Sequence, residues 1–205
     1  MDTLRQMLYY LLGKTYLSPQ ALAKNGPRLL HISDTPSFLF PELARLIKQI
    51  KPDYIVHTGD MVDNIKLQLQ PDLIRRYERT VLPLLKILDS SDAIEVYITL
   101  GNHDNAEYVK KHAGRIRIFD YDGKCTIEGK SISMCHYAAG LVQHDSDFYL
   151  FGHDLSLDSH IEGTRIYLNG ISNIHLVDLY SSTVKYFSYP WGTDDARMKR
   201  HRIGT

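Results

Sequence analysis

The chain has 205 residues, enough for one domain with a sizeable core. Its 24 basic and 24 acidic residues cancel, so bulk charge gives no support to a nucleic-acid partner. The two cysteines form no CxxC pair, which argues against a disulfide framework or a zinc ribbon and for a reducing cytoplasm. No apolar run approaches the roughly 20 residues that span a bilayer, so we expect no membrane partner.

The first 26 residues have a helical pattern that ends at Asn25-Gly26-Pro27, a turn and stop signal. An acidic residue at position 2 and a single arginine before the apolar stretch do not suit a secretory signal. We therefore predict a helical N-terminal extension, residues 1–26. It covers either part of the sheet or a neighbouring chain, and the second arrangement makes the protein an oligomer through this helix.

Alternating strand and helix patterns follow the extension. Short apolar runs predict strands at about 28–33, 54–58 and 94–100. Apolar residues at helical spacing predict helices in the segments 41–50 and 71–91 and at about 104–113. Helical crossovers of this length connect parallel strands, so this half of the chain predicts a parallel sheet of βαβ units.

The second half changes character, with short strands between glycine turns. These strands are predicted at about 116–119, 124–128, 131–136, 147–151, 165–168, 174–179 and 183–188. The turn sequences YDGK and IEGK are typical of hairpins, so we expect mostly antiparallel pairs here. The whole chain, 1–205, then forms one domain, a sandwich of two sheets flanked by helices.

A C-terminal tail, residues 189–205, completes the chain. Five basic or histidine residues fall within 197–202. We expect a frayed end, because chain termini are usually loose. The alternative is an electrostatic contact with phosphate or nucleic acid.

Metal-binding side chains follow several of the apolar runs. They are Asp34, Asp60, Asn102 with His103, and His153. Groups at the carboxyl ends of parallel strands converge on one crevice, where open α/β sheets bind ligands. Carboxylates, an amide oxygen and imidazoles that meet there predict a divalent metal ion.

The segment GNHD, residues 101–104, is the most specific of these signals. Gly101 allows a turn close to an ion, and Asn102 supplies a neutral oxygen ligand. His103 is expected beside the ion as the acid that protonates a departing alkoxide. Asp104 is expected to accept a hydrogen bond from the other ring nitrogen of His103 and so fix its tautomer.

The order of Asp34, Gly59-Asp60, GNHD, His136 and Gly152-His153 resembles the calcineurin-like metallophosphoesterase family. The resemblance covers roughly residues 28–180. It implies a four-layer α/β/β/α sandwich of two mixed sheets flanked by helices. It also implies hydrolysis of a small phosphodiester or phosphomonoester by a metal-activated water, with Mn²⁺ expected and iron, nickel or zinc as alternatives.

Carried over residue by residue, one metal site of the family maps onto Asp60, Asn102, His136 and His153. The other site maps onto Asp34 and Asp60 together with two histidines. At the positions of those histidines this chain has Pro36 and Leu155, which cannot bind a metal through their side chains. The resemblance therefore implies one firm site and one incomplete site.

Replacement ligands for the incomplete site are sought in the loop after His153. Asp154, Asp158 and His160 reach the crevice if this loop folds back, and an oxygen-rich remnant could also hold an ion through waters. His31 and His57 are expected to point away from the site. Loops at 64–72, 105–112 and 137–147 are expected to select the substrate, with Tyr108, Tyr137 and His144 as candidate wall residues.

Two other functions stay open. The losses at Pro36 and Leu155 favour a scaffold or binding protein that keeps the fold without turnover, as the retromer subunit of this fold does. The retention of His103 favours an enzyme, because a scaffold needs no leaving-group acid. A nuclease or nucleic-acid accessory has only the basic tail in its favour.

Overall fold

The computed structural model describes residues 2–143 and 145–198. In this part of the chain the helices are α1 (Asp2–Leu11), α2 (Pro19–Leu22), α3 (Phe40–Ile50), α4 (Ile74–Asp89), α5 (Ala106–His112) and α6 (Thr193–Met198). The strands are β1 (Arg28–Ile32), β2 (Tyr54–His57), β3 (Glu95–Thr99), β4 (Arg117–Phe119), β5 (Asp122–Ile127), β6 (Lys130–Cys135), β7 (Phe148–Phe151), β8 (His160–Glu162), β9 (Arg165–Asn169), β10 (Ile174–Asp178) and β11 (Thr183–Phe187). All of the predicted strands are present to within two residues, and β8 was not predicted.

The described strands form two mixed sheets. The first has the order β11-β10-β1-β2-β3-β4, in which β1 to β4 run parallel and β10 lies antiparallel to β1. The second has the order β5-β6-β7-β9-β8, with parallel pairs in its centre and antiparallel pairs at both edges. The second half is therefore less dominated by antiparallel pairs than we expected, because β6, β7 and β9 pair in parallel.

The two predicted hairpins have different outcomes. IEGK does connect an antiparallel pair, β5 and β6, and both Glu128 and Gly129 have the positive φ angles that a tight hairpin turn requires. The hairpin at YDGK is wrong. β4 joins the first sheet and β5 joins the second, so this segment is the crossover between sheets.

Successive side chains point to opposite faces of each strand, and this divides the hydrophobic core into two main layers. Leu30 and Ile32 of β1 pack with α3 and α4 on the outer face of the first sheet. Leu29 packs between the two sheets, against residues such as Phe148 of β7. A 3₁₀ segment, Ala138–Gln143, packs against the outer face of the second sheet. The result is the predicted sandwich of two sheets flanked by helical layers.

The N-terminal extension is only partly helical, since residues 12–18 separate α1 from α2. The side chains of Leu4, Met7, Leu8 and Leu11 on α1 are exposed. They therefore do not cover the sheet, and an oligomer formed through this helix stays a prediction. No helix in the described residues is long and apolar enough to cross a membrane.

The expectation of a loose C-terminal tail is wrong for residues 189–198. Tyr189 is buried, and its hydroxyl donates to the carbonyl oxygen of Gly170 at 2.7 Å. Arg197 of α6 is 2% exposed and donates to the carbonyl oxygens of Asp34 and Ile171, each at 2.7 Å. This segment is therefore part of the folded body, and the basic residues at 199–202 lie outside the described residues.

Candidate metal centre

The predicted site residues lie directly after strands, and three of them have an unusual backbone conformation. Asp34, Asp60 and His153 have φ angles of 50°, 53° and 69°. A non-glycine residue in this left-handed region costs on the order of 1–3 kcal/mol and persists only where the surrounding structure requires it. Asp and His tolerate this conformation better than most residues. Such strain at three strand ends is typical of a functional site.

Three candidate ligand atoms converge on a fourth, the Nε2 atom of His136. This nitrogen lies 3.1 Å from Asn102 Oδ1, 3.2 Å from His153 Nδ1 and 3.5 Å from Asp60 Oδ2. Two ligands about 2.1 Å from one ion are separated by about 3.4 Å in a tetrahedral site. These are the four side chains that the family resemblance assigns to one metal ion.

Hydrogen bonds orient the ligands toward this centre. The Nδ1–H group of His136 donates to the carbonyl oxygen of Thr58 at 2.7 Å, so its Nε2 atom faces the other ligands. Asn102 donates its amide group to Gln68 Oε1 at 2.7 Å, which turns its Oδ1 atom toward His136. The orientation of each ligand is thus fixed from outside the centre.

The charge state of the centre also suits a cation. Burial alone would lower the pKa of His136, but the hydrogen bond and the charge of Asp60 outweigh burial and raise this pKa to about 9. Burial raises the pKa of Asp60, yet His136 and His103 more than offset it and bring the pKa to about 2. In this structure a proton on His136 therefore neutralises Asp60. A carboxylate, an amide oxygen and two imidazoles fit a divalent ion in place of that proton.

Two glycines allow the strand ends to meet. A Cβ atom on Gly59 would lie 2.6 Å from the backbone nitrogen of Gly101, and one on Gly101 would lie 2.5 Å from the backbone nitrogen of Asp60. Real Cβ atoms do not approach other atoms this closely. Both positions therefore require glycine, and the close contact brings Asp60 next to the GNHD turn.

Asp104 has a different partner from the one we predicted. Its Oδ2 atom accepts from the backbone amides of Asp60 at 2.8 Å and Gly101 at 2.9 Å. Its Oδ1 atom accepts from the amide of Met61 at 3.0 Å and from the Tyr77 hydroxyl at 2.8 Å. Four donors thus surround the carboxylate, so Asp104 joins two loops instead of fixing the His103 tautomer.

His103 lies at the same cavity, and its surroundings reveal two residues that the sequence did not indicate. A nitrogen of His103 and oxygens of Asp60 and Asp63 lie within 4.8 Å of one another. Asp63 is 2% exposed and forms an ion pair with Lys66. The only sequence signal for Asp63 was its place three residues after Asp60 in GDMVD.

The acidity of His103 follows from the same neighbours. Burial lowers its pKa, the charge of Asp60 opposes this, and Lys66 adds to the lowering. The Gln68 amide donates to the Nδ1 atom of His103 at 3.4 Å. The amide nitrogen of Asn102 lies 3.1 Å from the Nε2 atom and 3.3 Å from the Nδ1 atom, so donors face both ring nitrogens.

Asp34 lines the cavity but is not a member of either potential metal-binding group in the described residues. Its Oδ2 atom accepts from the Ser33 hydroxyl at 2.5 Å and from the His153 amide at 3.0 Å. Asp34 therefore braces His153. Pro36 is buried before a 3₁₀ turn, and Leu155 lines the cavity with 42% of its surface exposed. No ligand replaces the missing histidines at these two positions.

The proposed substitutes also have other contacts. Neither potential metal-binding group in the described chain includes Asp154, Asp158 or His160. Asp154 lines the cavity, and its Oδ1 atom accepts from Ser156 at 2.8 and 2.7 Å. His160 stacks on Tyr167 at 4.6 Å in the edge pair of the second sheet.

Of the remaining predicted residues, one lies at the candidate metal centre and others lie away from it. The ring of Tyr137 lies 4.3 Å from that of His153, so Tyr137 is a wall of the metal centre. Tyr108 packs against the helix-side core, and His144 lies outside the described residues. His31 bonds to His175 at 3.2 Å, and His57 bonds to Thr35 at 3.0 Å. Both of these histidines are buried away from the cavity, as predicted.

Comparisons with known proteins agree with this geometry. The family described as calcineurin-like phosphoesterase matches residues 27–201. Among curated proteins none matches. A solved structure of an archaeal phosphodiesterase has 15% identity and a TM-score of 0.55, with 78% of this chain and 98% of that chain covered. The phosphoesterase YfcE from E. coli has 13% identity and a TM-score of 0.53, with 79% and 98% covered. At this identity the two structures show a shared fold. With the family match over most of its length, this chain belongs to the calcineurin-like phosphoesterase family.

Proposed function

We propose that this protein hydrolyses a small phosphoester, a phosphodiester or a phosphomonoester, with one divalent ion held by Asp60, Asn102, His136 and His153. The observation that carries this proposal is the convergence of three ligand atoms on His136 Nε2 within 3.1–3.5 Å. A bound ion supplies a water of lowered pKa and stabilises charge on the phosphoryl oxygens. Mn²⁺ is the ion we expect, with iron, nickel or zinc as alternatives, because carboxylate and amide oxygens suit Mn²⁺ and imidazoles suit the other three.

The protein's own residues orient the candidate ligands and would supply the proton for the leaving group. His136 holds its ligand nitrogen in place through Thr58, and Asp60 is held by the amide of His103, which donates to Oδ1 at 2.9 Å. The same backbone bond places the His103 ring beside the reacting group. The acid in this proposal is the imidazolium form of His103, which would give its proton to the leaving oxygen. Because burial lowers the pKa of His103, this form is a stronger acid but is less populated at neutral pH. Tyr137 limits the space above His153.

The size of the site favours a small substrate. The cavity that contains Asp60, His103 and His153 has a volume of about 300 Å³. Arg197, the one described basic residue of the C-terminal segment 197–202, is buried and bonded to backbone carbonyls. It is therefore not available to a nucleic-acid backbone.

The test combines elemental analysis with a screen of nitrophenyl phosphoesters in several divalent ions. Wild-type protein should bind one ion per chain and hydrolyse at least one ester. D60N should lose both metal and activity, whereas H103A should keep its metal and lose most of its activity, since general acid catalysis contributes about 10²–10⁴-fold. H160A is the matched control and should resemble wild type. Turnover in D60N or H103A equal to that of wild type would refute the proposal, and bound metal without any turnover would favour a binding protein.

A further inference from the structure

Lys66 is a cation at the edge of the candidate metal centre. Its ammonium group forms an ion pair with the carboxylate of Asp63. The Lys66 side chain is 22% exposed and lines the same cavity as Asp60, His103 and His153. The end of this side chain therefore reaches both the buried carboxylate and the space where a substrate would lie.

The backbone around Lys66 is fixed. Met61, Val62 and Ile65 are completely buried in the helix-side core. The carbonyl oxygen of Lys66 accepts from the amides of Leu69 at 2.9 Å and Gln70 at 2.8 Å. Lys66 thus extends from a packed turn, and its ion pair with Asp63 holds its ammonium group at the cavity.

Among the described residues that line this cavity, Lys66 and Arg197 are the lysine and arginine side chains, and Lys66 is the more exposed of the two. Arg197 directs its donors to the carbonyl oxygens of Ser33, Asp34 and Ile171 and to Asp194. Arg197 is 2% exposed. The Lys66 side chain is 22% exposed and uses one of its three N–H groups for Asp63. With Pro36 and Leu155 in place of two metal-binding histidines, the cavity holds fewer positive charges than a site with two ions. Lys66 supplies one of the remaining positive charges.

We propose that the ammonium group of Lys66 binds a non-bridging oxygen of the substrate's phosphoryl group, while Asp63 holds it in position. This inference rests on the proposed function, because it assumes that a phosphoryl group enters the cavity. The site then recognises a tetrahedral oxyanion through one metal ion and one ammonium group. Lys66 is a catalytic residue in this arrangement, since it contacts the reacting group.

The experiment measures oxyanion binding without turnover. Tungstate, a tetrahedral dianion, is titrated calorimetrically into Mn²⁺-loaded wild type, K66M, K66R and K86M, and the metal content of each is measured. Hydrogen bonds to charged groups contribute enough to weaken tungstate binding roughly 10- to 100-fold in K66M. K66R should lose less than K66M, and K86M, which changes an exposed lysine of α4, should bind as wild type.

The outcomes separate this inference from the proposed function. Wild type could hydrolyse no ester while K66M still loses tungstate affinity with its metal bound. In that case Lys66 binds oxyanions, and only the prediction of turnover is wrong. If K66M binds tungstate within twofold of wild type at equal metal content, the inference about Lys66 is wrong whatever the activity. If K66M binds no metal, tungstate affinity is measured on K66Q instead, with the same twofold criterion. Two ions bound per wild-type chain, with tungstate affinity independent of Lys66, would also overturn it.

Discussion

The substitution G101A tests the placement of the metal centre most directly. A Cβ atom at this position would lie 2.5 Å from the backbone nitrogen of Asp60, and nearer still to its carboxylate Oδ1. An ordinary contact of this kind is 3.4 Å or longer. Because one of the opposing atoms is backbone, the strand end that carries Asp60 and the GNHD turn must separate by about 1 Å.

A shift of this size removes Asp60 from coordination, because ligand distances tolerate only about 0.2 Å. Changes to residues that merely orient ligands cost about 10- to 100-fold in metal affinity. Loss of a ligand should therefore weaken Mn²⁺ binding by about 100-fold or more, which corresponds to about 2.7 kcal/mol. The overpacked turn should also lower the free energy of unfolding by about 1–3 kcal/mol.

The assays are calorimetric titration with Mn²⁺ and urea unfolding of the metal-free protein. G163A is the matched control, since Gly163 has a φ of 60° and nothing within 4 Å of an added Cβ atom. G163A should lose about 1 kcal/mol of stability from its backbone conformation alone and bind Mn²⁺ as wild type does. Affinity of G101A within threefold of wild type would refute the close packing of Gly101 against Asp60.

Three further predictions follow from other parts of the structure. Y77F removes one of the four donors to Asp104 and should cost about 1.5–2 kcal/mol in urea unfolding, since bonds to charged acceptors contribute this much; an unchanged midpoint would contradict the bond. Burial lowers the pKa of His175 to about 3, while the unfolded chain takes up a proton near pH 6.5. The contribution of His175 is therefore intact above pH 6.5 and falls with pH toward 3, with a loss of about 2 kcal/mol at pH 5. H175N should lack this part of the pH dependence and keep the parts that come from the buried His31 and His57, whose pKa values burial also lowers. Equal pH slopes for the two proteins would argue against a neutral buried imidazole. The double variant P36H/L155H should raise the Mn²⁺ content from one ion per chain to two, and a count that stays at one would show that more than these side chains separates the two sites.

The strands and the four candidate metal ligands could be predicted because their signals are local. Each strand is a short apolar run, and Asp60, Asn102, His136 and His153 lie within three residues of strand ends that the sheets bring together. Parallel pairing places such ends on one edge without further information. The order of motifs along the chain was therefore sufficient to predict these four candidate ligands.

The errors have one physical cause, since they concern partners that are distant in sequence. An Asp-Gly pair indicates a turn, but whether β4 and β5 share a sheet depends on pairing elsewhere. Asp104 could face a histidine ring or backbone amides, and the approach of Gly59 to Gly101 decides for the amides. Lys66 lies in the loop 64–72 that the sequence assigned to substrate selection, but only the fold shows that Lys66 is the residue of this loop that lines the cavity. The C-terminal segment likewise gains its order from contacts with Asp34 after β1 and with Gly170 and Ile171 after β9.

The bonds that hold the candidate ligands do not depend on the two positions where histidines were expected. Asp60 is positioned by the amide of His103 and by bonds from its own loop to Asp104, and His136 is positioned by the carbonyl of Thr58. None of these bonds involves Pro36 or Leu155. The strained backbone of Asp60 is thus stabilised by contacts that the loss of the two histidines leaves intact. One ion at Asp60, Asn102, His136 and His153 would therefore need no histidine at positions 36 and 155 to keep its ligands in place.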